Sequence, residues 1–218
     1  MTVGLAIFDS DGVLVDSEGL AADAMAAMAT SPGLPMSSAD ARVAFRGGRT
    51  QDCVEAISAR LGRELPQAFT CDDRALLASA LRTHLQPMPG ARELPASLRV
   101  PFCVASSGAR EQIERSPGVT GLLEHVSAHL FGGYEVGHSR SDPQWLLHAA
   151  RTIGVAPGQC LVVEGSAPGL CAGIAAGMQG VALLTEGADP RFAARIDVIS
   201  TVSVLPELFD RRHQRVTA

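Results

Sequence analysis

Asp9 and Asp11 flank a single serine directly after an apolar run, Val3 to Phe8. The run reads as a buried parallel strand, and carboxylates two residues apart on an extended segment face the same side. Gly12 then lets the chain bend sharply away. Two carboxylates at the carboxyl end of a strand can do three jobs. One can attack an electrophile, the other can move a proton, and both can help hold a hard cation. Ser106 ends a second apolar run. A hydroxyl there, with nearby backbone N–H groups, can hold an oxyanion or cap a helix.

Such residues need a scaffold that delivers strand ends to one place. Strand-like apolar runs recur at Leu5–Asp9, Phe102–Ser106, His129–Phe131, Leu161–Glu164 and Val181–Leu184, with a last one at Asp197–Ile199. Helical patterns fall between them at Gln144–Ile153 and Gly169–Ala176. Strands alternating with helices predict an α/β fold with a doubly wound parallel sheet. Ligands bind such sheets beyond the carboxyl ends of the strands. Residues 18–86 are rich in Ala, Met and Leu at helical spacing. They are expected to form an inserted α-helical cap subdomain, leaving 1–17 and 87–218 for the core. Pro87-Met88-Pro89-Gly90 marks the return, with turn chemistry that stops a helix.

The chain of 218 residues suits one such domain with an insertion. Hydrophobic residues make up 46% and charged residues 19%, as in a globular protein. A net charge of −5 without a basic stripe argues against nucleic-acid binding. No apolar run reaches membrane-spanning length, and the first strand begins too early to follow a signal peptide, so cytoplasm is the expected location. The five cysteines form no CxxC pair and imply neither a disulfide framework nor a zinc site. Cys103, Cys160 and Cys171 lie in apolar segments and are expected in the core. His125 and His129 are four apart but lack the glutamate of an HExxH pattern, so no metal role is assigned to them. All 18 basic residues are arginine, and asparagine is absent as well.

FDSDGVLVDSE, from Phe8 to Glu18, resembles the first motif of the haloacid dehalogenase (HAD) superfamily, in its phosphatase branch with a helical cap. The resemblance implies a Rossmann-like core and Mg²⁺-dependent hydrolysis of a phosphate ester. It assigns Asp9 as the nucleophile that becomes an aspartyl-phosphate, and Asp11 as the acid and base. It favours phosphate binding over helix capping at Ser106, with Ser107 beside it. Counting back from His148-Ala149-Ala150, Arg140 stands where the family carries lysine. Arginine keeps the charge and can pair with phosphate through two N–H groups, but it is larger and planar. In Cys160-Leu161-Val162-Val163-Glu164-Gly165-Ser166, Gly165 stands where the family carries an aspartate. Mg²⁺ would then rest on Asp9, the Asp11 main-chain carbonyl, substrate phosphate and water, with Glu164 in support. Arg46 and Arg49, around Gly47-Gly48, resemble a cap loop that meets the anionic substrate.

Asp11 argues against a true haloacid dehalogenase. A phosphoglucomutase is disfavoured because Ala21 stands near the position of its cap histidine. The segments LFGGYEV, CLVVEGS and AGIAAGM resemble the 6-phosphogluconate phosphatase branch. The expected substrate is therefore a small sugar or sugar-acid phosphate, and the expected state a monomer. Gly165 and Arg140 together motivate a second reading, a catalytically impaired relative that binds phosphorylated ligands or a partner.

Overall fold

The computed structural model describes residues 2–45, 50–66, 68–106, 113–114, 118, 120–126, 129–133, 142–183 and 196–214. Along the chain run β1 (Leu5–Phe8), α1 (Ser17–Thr30), α2 (Ser38–Phe45), α3 (Thr50–Leu61), α4 (Ala68–His84) and α5 (Leu94–Ser97). Then follow β2 (Phe102–Ser106), α6 (Leu123–Val126), β3 (Leu130–Gly132), α7 (Gln144–Ile153), β4 (Cys160–Glu164), α8 (Ala167–Ala175), β5 (Gln179–Leu183), β6 (Asp197–Ile199) and α9 (Leu205–Gln214).

The six strands form one sheet in the order β3-β2-β1-β4-β5-β6, and every pairing is parallel. Sequential strands move outward from β1 to β3, and the chain then crosses back to place β4 on the other side of β1. The topological switch point therefore lies between β1 and β4, the place where such sheets take ligands.

Strands β1 to β5 are apolar on both sides because both sides are covered, whereas the edge strand β6 is exposed at Asp197 and Val198. Leu5 and Ile7 pack with Cys103, Val162, Trp145 and Ala149 in one cluster. Ala6 and Phe8 pack with Val104, Val163, Leu205 and Phe209 in another. Helix α7 shows how the sequence achieves this. Trp145, Leu146, Ala149 and Ala150 form its buried stripe. Asp142 accepts the Gln144 N–H at its start (2.9 Å), and Gly154 ends it at φ 84° with its N–H on Ala150 O.

The chain divides into two compact units, Met1–Val15 with Pro87–Ala218, and Asp16–Gln86. The second is all helical and has its own core, in which Met25, Met28, Ala41, Phe45, Val54 and Ile57 meet. Asp16 caps α1 by accepting the Gly19 N–H at 3.2 Å. Among the described residues, no helix is long and apolar enough to cross a membrane.

Several expected bounds shift. β1 stops at Phe8, not Asp9, because the chain turns at once: Ser10 O accepts the N–H groups of Leu14 (3.0 Å) and Val15 (3.2 Å). β3 starts at Leu130, one residue after the expected His129, and runs to Gly132. β4 and β5 each begin earlier than expected, at Cys160 and Gln179. One core assignment is corrected. Cys171 is exposed, because α8 turns Leu170, Ala172 and Gly173 inward and leaves Cys171 on the outer face.

Gly90 is where the fold depends on a glycine. Its φ is +84°, and a Cβ there would meet Ser203 Cβ at 2.8 Å and Ser203 N at 3.0 Å. Thr201 Oγ1 donates to Pro89 O (3.2 Å), so the facing segment is tied in place. Gly90→Ala adds left-handed strain to a backbone clash and is expected to cost about 2–4 kcal/mol. Urea unfolding checks this as a lower midpoint at unchanged slope.

Candidate functional site

Three strand ends converge at the switch point. Asp9 follows β1, Ser106 closes β2 and Glu164 closes β4, with Phe8 in register with Val104 and Val163. Asp9 is half-buried and donates its N–H to Val163 O at 3.0 Å, which extends the β1–β4 ladder by one bond. Ser10, between the two aspartates in sequence, is 1% exposed, and its hydroxyl has no hydrogen-bond partner among the described residues. Asp11 is exposed and bridges to Val15; Gly12, at φ 71°, donates to Val15 O at 2.9 Å. The aspartates thus sit on a tight strand-exit turn rather than on a continuing strand. The alternation argument needs both residues on one extended segment, and the turn at Ser10 breaks that segment.

Glu164 is 2% exposed, although it carries a carboxylate. Its Oε2 accepts from Ser166 N (2.9 Å) and from Ser166 Oγ (2.8 Å). Ser166 Oγ in turn accepts the Gly169 N–H (3.2 Å) and so caps α8. Nothing in the sequence reading anticipated this role for Ser166; the available signal was an acid two residues ahead of a serine at a strand-to-helix turn. Gly165 lies against the β1 turn. A Cβ at 165 would stand 3.6 Å from Gly12 O and 3.7 Å from Val13 Cγ2, ordinary contact distances. Packing therefore does not demand glycine there.

Ser106 is buried at 4% and pairs with Gly132 of β3. Ser107, Arg140, Arg46 and Arg49 lie outside the described residues. His129 is exposed. Burial pushes the Cys160 thiol up to about 11 and the Cys103 thiol further, with Cys160 beside Cys103 adding to the effect. Both are therefore inert thiols of the core.

Whether these residues suit Mg²⁺ turns on the donor set. Mg²⁺ commonly takes one or two carboxylates and completes its octahedron with water and substrate phosphate. The Asp9 carboxylate and the Asp11 main-chain carbonyl are oxygen donors of the kind it accepts. Among the described residues no three His, Cys, Asp or Glu side chains gather into a group that could hold a metal. The set fits an ion shared with substrate and water, not one enclosed by protein.

A family model described as haloacid dehalogenase-like hydrolase matches residues 3–177. The 6-phosphogluconate phosphatase of Escherichia coli (strain K12) is 28% identical over 213 residues, 97% of this chain and 96% of that protein. A haloacid dehalogenase-like protein of unknown function from Agrobacterium tumefaciens str. C58 superposes with a TM-score of 0.87 at 26% identity, over 97% of this chain and 99% of the other. A HAD family hydrolase from Deinococcus radiodurans R1, solved with bound phosphate and sodium, gives a TM-score of 0.82 at 27% identity over 93% of each chain.

Proposed function

The chain belongs to the haloacid dehalogenase-like hydrolase family, and from that footing we propose that it is a phosphatase hydrolysing a small sugar or sugar-acid phosphate. The observation that carries this reading is the Asp9/Asp11 pair on the turn leaving β1 at the sheet's switch point. The likeness to a 6-phosphogluconate phosphatase over nearly the whole chain supports the substrate class.

An Asp9 carboxylate oxygen attacks phosphorus, and the bond from phosphorus to the sugar oxygen breaks. Asp11 gives its proton to that leaving oxygen, then takes one from water as the water attacks the aspartyl-phosphate. The bond from the Asp9 oxygen to phosphorus breaks, inorganic phosphate leaves, Asp9 returns as a carboxylate and Asp11 as the protonated acid it began as. Ser106, Ser107 and Arg140 hold phosphate oxygens, and Arg46 and Arg49 meet the rest of the anion. Asp9, the Asp11 main-chain carbonyl and, in support, Glu164 are the groups that would hold Mg²⁺. When bound, the ion neutralises charge on the phosphoryl oxygens. The protein acts as a monomer on a free metabolite.

Phosphate release from a panel of sugar phosphates and p-nitrophenyl phosphate, across a wide Mg²⁺ range, tests this. Wild type is expected to turn over at millimolar Mg²⁺. Because a Cβ at 165 meets only ordinary contacts, Gly165→Asp is expected to lower the half-saturating Mg²⁺ by about 10- to 100-fold, the range seen when groups around a metal are altered. Gly165 also favours the second reading, a phosphate-ligand binder. Silence of wild type throughout the range, with turnover only in Gly165→Asp, would establish that reading instead.

A further inference from the structure

Glu164 and Gly169 occupy one space. The Glu164 carboxylate folds forward from the end of β4 over the first turn of α8, where Ser166 holds it through its N–H and its hydroxyl. A Cβ on residue 169 would overlap Glu164 Oε1 and Cδ and approach Oε2 to 2.7 Å. Gly169 has no positive φ, so its backbone does not require glycine. Within a helix, glycine is a poorer former than alanine. The missing side chain is explained by the carboxylate that fills its place.

We infer that Gly169 is a positioning residue: its bare Cα, with Ser166 as the clamp, sets where the Glu164 carboxylate lies at the switch point. A nearly buried carboxylate cannot simply move elsewhere in the core, because an unpaired buried charge is costly. At the helix N-terminus it receives the Ser166 N–H and hydroxyl and a favourable dipole. Glu164 closes the strand beside Asp9, so displacing it alters the acid environment that would support the cation. That last link rests on the proposed phosphatase reading; the shared space does not.

Gly169→Ala, Glu164→Ala and the double variant test the inference in full-length protein. Thermal unfolding is expected to show a lower midpoint for Gly169→Ala in the wild-type background. In the Glu164→Ala background the same change is expected to cost nothing or to stabilise, since the obstructing carboxylate is gone. If Gly169→Ala does not fold but the double variant does, the same conclusion follows. Ser166→Ala, which removes the hydroxyl's bond to Glu164 and its cap on the Gly169 N–H while keeping the backbone N–H, and Gly169→Ala are each expected to raise the half-saturating Mg²⁺ about tenfold or more, with kcat at saturation largely kept. The rise in unfolding midpoint that Mg²⁺ confers should shrink in parallel. An equal penalty in both backgrounds, or an unchanged Mg²⁺ midpoint in an active enzyme, overturns the inference. Should wild type show no phosphatase activity and no response to Mg²⁺, the functional reading fails, while the thermal cycle still decides the positioning.

Discussion

Asp9→Asn is expected to abolish phosphate release on every substrate that wild type accepts. The loss should be on the order of 10⁶-fold in kcat, the scale reached when a covalent nucleophile is removed elsewhere. Asparagine has the same shape, and the contact that places residue 9, its N–H to Val163 O at 3.0 Å, is made by the backbone. The turn behind it is likewise backbone-bound through Ser10 O and Gly12 N–H. The substitution therefore removes the attacking oxygen's charge and leaves the fold in place. Thermal unfolding should stay close to wild type. Acid quenching of wild type during turnover should leave phosphate on the peptide carrying Asp9, found by mass spectrometry, and none in Asp9→Asn. Phosphate trapped on another residue, or a loss of only about tenfold, would remove Asp9 from the nucleophile's role.

The contrast between α7 and Glu164 shows what a linear reading can reach. Gln144–Ile153 has the bounds expected from its pattern, because its signals are local: an apolar stripe, Asp142 before it and Gly154 after it. The strands were readable for a similar reason. A strand covered on both faces is a short apolar run, and Phe102–Ser106 falls where expected; Asp197–Ile199, an exposed edge strand, also has its expected bounds. Alternation with helices implies the parallel, doubly wound sheet, but the strand order around β1 that defines the switch point is read from the structure. Cys171 failed because the surrounding residues are so uniformly small and apolar that helix phase was unreadable there. β1 ended early because Ser10 O gathers N–H groups from 13 to 15, a closure that alternation cannot anticipate. The fate of Glu164 was hidden for a different reason. Its position is set by an atom that residue 169 lacks, and a pattern of side chains does not display a space. The candidate site was thus readable as a set of strand ends, but not in how its carboxylates are held. Ser107, Arg140, Arg46 and Arg49 remain assignments by resemblance.

Asp11→Asn is expected to slow the enzyme by about 10²- to 10⁴-fold, the contribution of a positioned acid or base. The loss should depend on the leaving group. A sugar alkoxide needs a proton as it departs, whereas nitrophenolate is stable enough to leave without one. On a sugar phosphate both the formation and the hydrolysis of the aspartyl-phosphate lose Asp11, and turnover falls from the first step. On p-nitrophenyl phosphate only hydrolysis loses it, so the variant should release a burst of nitrophenolate equal to the enzyme present and then stall. The covalent phosphate should accumulate in that stalled state and be visible after quenching. The geometry makes the comparison clean. Asp11 is exposed, and its backbone is pinned by the bridge to Val15 and by the Gly12 turn, so the isosteric amide leaves Asp9 where it was. Equal losses on both substrates with no burst would mean that Asp11 positions the chain or the cation and does not carry the proton. The role of acid and base would then pass to a group outside the turn.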